Sequence, residues 1–158
     1  MTGALQLVAA MAEARSGRLW KARERLNRVY PNTASVRHTT NIGHTMFGTL
    51  NVSLHAVAVE LRAGDAIEAL RLAEQLDMSE CPSVERRFTF ALDLARAYEL
   101  RRMETGTLLH LLDAERIAPE DMRHNHDAHD MVRRLIQGKR TPARNQAAQL
   151  ADRIDVHL

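Results

Sequence analysis

One cysteine, four prolines, seven glycines and 4% aromatic residues are spread over 158 positions. A single cysteine excludes an internal disulfide framework and a zinc site built from cysteines alone. So few glycines and prolines exclude an all-β chain with many tight turns. No run approaches the ~20 apolar residues of a membrane span. The opening M-T-G-A-L-Q-L-V-A-A is apolar but lacks the positive start of a signal peptide, and Glu13 and Arg15 continue an amphipathic pattern. A cytoplasmic location is expected, with Cys81, beside Pro82, a free thiol without a role.

What is present is Ala, Leu, Arg and Glu, the vocabulary of helices. Apolar spacing of three and four recurs nearly end to end, and no segment keeps a two-residue alternation. The first stripe reads Leu5, Val8, Ala9 and Ala12, and the second Leu19, Ala22, Leu26 and Val29. Pro31-Asn32-Thr33 is expected to stop the second helix and residues 31–48 to form a long connection. Later stripes run through Ala66, Ala69 and Ala73, then Phe90, Ala91, Leu94, Ala95 and Tyr98, then Leu108, Leu111 and Ala114. The last two hold Ala128, Met131, Val132, Leu135 and Ile136, and Ala143, Ala147, Leu150, Ala151 and Ile154. Ser83 is a candidate N-cap. Eight helices are expected, and the fold class is all-α.

The helices pair, and the pairs repeat. Gly17-Arg18, Gly64-Asp65 and Arg102-Met103 each separate two helices, and Ala22, Ala69 and Thr107 follow at the same distance. Small residues there let the two helices approach. Leu94-Ala95-x-x-Tyr98, Thr107-x-x-x-Leu111, Ala114 and Pro119 match the tetratricopeptide pattern by residue type. The expected architecture is one domain, 1–158, of tetratricopeptide-like helical hairpins forming an α-solenoid. Its hairpins fall at about 4–30, 49–77 and 84–118, closed by capping helices at about 120–137 and 142–154. Each hairpin buries its stripe by stacking on a neighbour.

Three stretches carry a family resemblance. They are F-G-T-L-N-V-S-L-H (Phe47–His55), G-D-A-I-E-A-L-R-L-A-E (Gly64–Glu74) and the segment Leu111–Glu120. Together with the tail A-A-Q-L-A-D-R-I-D-V, they resemble the tetratricopeptide-like C-terminal sensor region of actinobacterial helix-turn-helix (XRE-type) transcriptional regulators. The sequence departs from that pattern at Thr49-Leu50, at Arg102 in place of glycine and at Thr107 in place of alanine. The resemblance implies a non-catalytic sensor module that lacks its own DNA-binding domain and meets DNA indirectly. Its expected partner is a peptide, small molecule or protein in a concave groove, or a second copy in a homodimer; no cofactor and no membrane are implied.

In stacked hairpins the first helix of each pair lines the groove. That places Asn51, Leu54, His55, Ala58 and Arg62 there from the second hairpin, and Thr89, Leu92, Arg96 and Glu99 from the third. Arg62 and Arg96 are candidates to grip a carboxylate, against the plainer reading of surface ion pairs. An exposed stripe of Leu5, Val8 and Ala12 would instead favour a scaffold or dimerisation module.

Two charged features complete the reading. Residues 1–38 hold seven Lys/Arg and two acids, a net +5, while the remainder is −3. Arg18, Lys21, Arg25 and Arg28 share a helix face, either as a phosphate-binding stripe or as a solvated surface. His126, His129 and Asp130 are the candidates for a metal site and hence a metal-dependent enzyme. The competing reading makes that string a helix entry capped by Asn125 or Asp127. No nucleophile motif or phosphate loop appears, so no enzyme is expected.

Overall fold

Helices need stop signals as much as apolar stripes, and this chain supplies both. The computed structural model describes residues 2–33, 40–42, 45–79, 81–138 and 141–157. These form two compact units, 1–76 and 77–158. They are helical apart from one short β-ribbon, and none of their helices is long and apolar enough to cross a membrane.

The first unit contains α1 (Thr2–Arg15), α2 (Leu19–Thr33), β1 (Thr40–Ile42), β2 (Thr45–Phe47), α3 (Thr49–Arg62) and α4 (Ala66–Ala73). α1 pairs with α2 and α3 with α4, while β2 lies against α1 and α3. Leu7, Ala10, Ala14, Ala22, Leu26, Val29, Val52 and Val59 make its core. This corrects the expected first stripe, because Leu5, Val8 and Ala12 stay exposed. α1 is apolar almost all the way round, so spacing alone cannot select its inner face.

Two expectations for the connection also change. α2 continues through Pro31 to Thr33, since a proline near a helix end forgoes one N–H bond without ending the turn. β1 and β2 pair antiparallel, Asn41 opposite Met46. Strands of three residues are too short to show an alternation in sequence. The other residues of the predicted connection, 34–39, 43 and 44, lie outside the described residues.

The second unit contains α5 (Val84–Leu100), α6 (Glu104–Ile117), α7 (Pro119–His124), α8 (His126–Gln137) and α9 (Pro142–Arg153). Its core runs from Phe88, Ala95, Leu108 and Leu111 through Met122, Val132 and Leu150 to Ile154. Ser83 caps α5 by accepting from the Arg86 N–H at 3.2 Å, as its sequence position implies. The predicted helix 120–137 is broken at Asn125. That side chain accepts from the Ala128 N–H at 2.9 Å and starts α8 afresh. Long-range ties close the unit: Arg153 holds Glu115 through two 2.7 Å bonds, and Thr141 donates to Glu104 at 3.0 Å.

All three hairpin turns share one geometry. Gly17, Gly64 and Arg102 are left-handed, at φ 75°, 76° and 56°. In each, the next residue's N–H reaches back to the carbonyl five positions earlier: Arg18 to Glu13, Asp65 to Glu60 and Met103 to Tyr98. This double-bonded ending satisfies helix carbonyls that would otherwise lack partners. Arg18, Asp65 and Met103 then open the second helix by accepting from Ala22, Ala69 and Thr107. Those three residues are 0%, 0% and 1% exposed. Thr107 replaces alanine at no polar cost, because its hydroxyl donates to the Met103 carbonyl at 3.1 Å.

Arg102 is the one strained member of this set. A left-handed non-glycine residue costs ~1–2 kcal/mol, partly offset by the greater entropy glycine loses on folding. Arg102→Gly is therefore expected to stabilise the second unit by about 1 kcal/mol. A raised urea midpoint at unchanged slope would show it. A lowered midpoint would mean that the arginine side chain itself holds the turn.

Candidate functional site

α1 and α3 are the first helices of their hairpins and meet within the first unit. Between them opens a surface concavity of about 430 Å³, lined by Val8, Met11, Ala12, Arg15 and His55. Three apolar side chains form one wall, and two nitrogen-bearing side chains supply its polarity. His55 Nδ1 lies 2.8 Å from the Asn51 carbonyl. A carbonyl can only accept, so Nδ1 carries the proton when the ring is neutral. That bond fixes the ring's orientation.

The predicted groove residues fall in both units. In the first, His55 reaches the concavity, Arg62 is exposed in the last turn of α3, and Asn51 is 5% exposed and thus interior. In the second, Thr89 is exposed. Arg96 does not wait for a ligand: it holds Glu99, which Arg134 also grips at 2.5 Å. Glu99 is thus a hub between α5 and α8. Sequence reading missed Val8 and Arg15 as site residues, because it placed Val8 in the core stripe and took Arg15 only as part of the amphipathic pattern.

The basic face of α2 is largely engaged. Arg18 and Arg25 both reach Glu13, Arg25 also donates to Gln6 at 2.9 Å, and Arg28 pairs with Glu24 at 2.6 Å. The hydrogen bond from Arg18 holds the Glu13 carboxyl below the usual range, with Lys21 and Arg25 adding to it. Lys21 Nζ sits 5.3 Å from the centre of the exposed Trp20 ring. Ion pairs of this kind describe a solvated helix face better than an open row of phosphate contacts.

The His126–Asp130 string is a helix entry. Asn125 is the cap, His129 Nε2 lies 3.2 Å from the Met122 carbonyl, and Asp130 pairs with Arg133 at 2.9 Å. The rings of His126 and His129 stand edge to face, 6.4 Å apart. Among the described residues, no three His, Cys, Asp or Glu side chains converge as metal ligands. Cys81 is a buried free thiol.

A second histidine responds to its surroundings. His110 stacks on Tyr98 with ring centres 5.2 Å apart. Burial lowers its pKa from 6.5, and Asp113 opposes that shift. The unfolded chain therefore binds the proton more readily than the folded one. Stability is intact above about pH 6.5 and falls as pH drops through that value towards the folded pKa. Urea midpoints should decline as the pH falls below about 6.5, and His110→Gln should flatten that decline. Parallel declines in both proteins would refute the assignment.

Among the described residues these features define a predominantly helical class, built of helical hairpins with one short β-ribbon and a concavity between α1 and α3. No protein-family model, curated protein or solved structure matches the chain.

Proposed function

We propose that the chain is a non-catalytic binding module of tetratricopeptide-like hairpins, the sensor part of a transcriptional regulator. One observation supports the repeat reading above all: three turns, at Gly17, Gly64 and Arg102, repeat the same hydrogen bonds and the same small buried residue five positions on. The concavity between α1 and α3 is where such a module would take its ligand. The regulatory role rests on the sequence resemblance. In mechanism, ligand in the concavity favours one packing of α1 on α3 and so biases a partnered DNA-binding domain. Such a bias can be no larger than the ligand's differential affinity for the two packings.

Native mass spectrometry of the full chain, purified gently from an actinobacterial host, tests the reading. Added mass on the folded wild type that is lost in Val8→Asp supports it. A clean protein mass, or added mass that survives the substitution, overturns the concavity as the ligand site.

The exposed face of α1 favours a second reading. Leu5 (69% exposed), Val8 (65%), Ala12 and Arg15 follow the three-four-three spacing of a coiled-coil seam. A dimerisation module would sediment as a concentration-dependent dimer, and Leu5→Glu would return it to monomer.

A further inference from the structure

We propose that the concavity between α1 and α3 takes a small monocarboxylate with an apolar body, its carboxylate held by Arg15. This deepens the binding reading above and rests on it. Three observations on the first unit lead there.

The first is the disposition of arginines. Among the described residues Arg18, Arg23, Arg25, Arg28 and Arg71 each have a carboxylate partner. Arg15 and Arg62 have none among them. These two occupy the same place in their hairpins, two residues before the left-handed glycines Gly17 and Gly64. Both sit in the last turn of a first helix. A guanidinium there is favoured by the helix dipole, and its planar fork suits a carboxylate.

The second observation is the lining. Val8, Met11 and Ala12 offer an apolar wall beside Arg15, and among the described residues no acidic side chain lines the concavity. A ligand with charge at one end and hydrocarbon at the other complements both parts. A polyanion would leave the wall uncovered, and a neutral hydrocarbon would leave the guanidinium unmatched.

The third is size and the poverty of the self-association alternative at this spot. About 430 Å³ lies towards the lower end of small-molecule sites, roughly 300–1,000 Å³. A second copy of α1 laid across it could cover the apolar wall but has one acid to offer Arg15, Glu13, which is already held by Arg18 and Arg25.

The test is an NMR titration of the full chain with octanoate, alongside octan-1-ol and octylammonium. Saturable shifts at Val8, Met11, Ala12 and His55 are expected with octanoate. Binding of octan-1-ol should be at least about tenfold weaker, and octylammonium should not bind. Arg15→Gln, a change at an exposed side chain, should weaken octanoate about tenfold, the scale of one charged hydrogen-bonded contact. Arg15→Lys should recover part of the loss. Equal binding of octanoate and octan-1-ol would overturn the carboxylate assignment while leaving the apolar concavity standing. No shift with any probe would remove both. Tighter binding of N-acetyl-Leu-Leu with a free C-terminus than of octanoate would replace the small acid with a peptide end.

Discussion

Gly106→Ala is expected to destabilise the second unit by about 2 kcal/mol, although the same exchange in an exposed helix gains ~0.5–1 kcal/mol. Gly106 lies in the first turn of α6, where the helix passes over Tyr98 of α5. A Cβ added there would stand 2.5 Å from Tyr98 Cδ1 and 2.7 Å from Cγ. The tyrosine ring is not a loose end that can swing aside, because its other neighbour is the stacked His110 ring. Either the ring turns and loses that stacking, or α6 shifts on α5. Overpacking of this kind costs ~1–3 kcal/mol, and an aromatic stack is worth ~0.5–1.5 kcal/mol, so the loss outweighs the helix-propensity gain. A double-mutant cycle with Tyr98→Ala decides the cause. If the clash is the cause, Gly106→Ala costs nothing, or even stabilises, once the ring is gone. A cost that persists in the Tyr98→Ala background would point to the backbone of α6 instead.

Removing Arg23 is expected to cost the first unit about 2–3 kcal/mol, more than removing its partner. Glu60 of α3 is 7% exposed and receives both bonds of the Arg23 fork, from Nε at 2.8 Å and Nη2 at 2.5 Å. Arg23→Ala leaves a desolvated carboxylate without donors. Glu60→Ala removes the buried charge along with the pair and leaves a half-exposed guanidinium that water can reach. Breaking a buried pair from the cationic side costs ~3–5 kcal/mol when burial is complete, and the half-exposed Arg23 places this case lower. Trp20, the single tryptophan, belongs to the first unit, so its fluorescence during urea unfolding follows that unit. The expected order of midpoints is wild type, Glu60→Ala, then Arg23→Ala. The reverse order of the two variants would show that the aliphatic stem of Glu60 matters more than its charge.

Much of the helical pattern was legible because amphipathic spacing and stop signals agree. The stripe of α8, from Ala128 to Ile136, is buried at every named position, and polar residues occupy its other face. α1 failed the same reasoning for want of polar residues to mark its outer side. Gly106 carried a signal that went unread: an isolated glycine inside a helical pattern often marks close packing. Site residues were legible where one helix face supplied them, as with His55 and Arg62. The engagement of Arg96 and Glu99 was not, because the second arginine on Glu99 lies 35 residues away and no local spacing points to it. Asn51 shares the face of His55 in sequence, yet the fold turns it inward.

Many arginines here sit three residues after an acid: Arg71 after Glu68, Arg116 after Asp113, Arg123 after Glu120 and Arg133 after Asp130. Each such couple is a short dipole lying on the helix surface. The field of a dipole fades faster with distance than that of a lone charge, and physiological salt damps even lone charges beyond ~8 Å. Around these couples an approaching molecule meets local fields that nearly cancel, whatever the excess of positive charge in residues 1–38. Recognition at these faces works by close fit after encounter, with little attraction from afar.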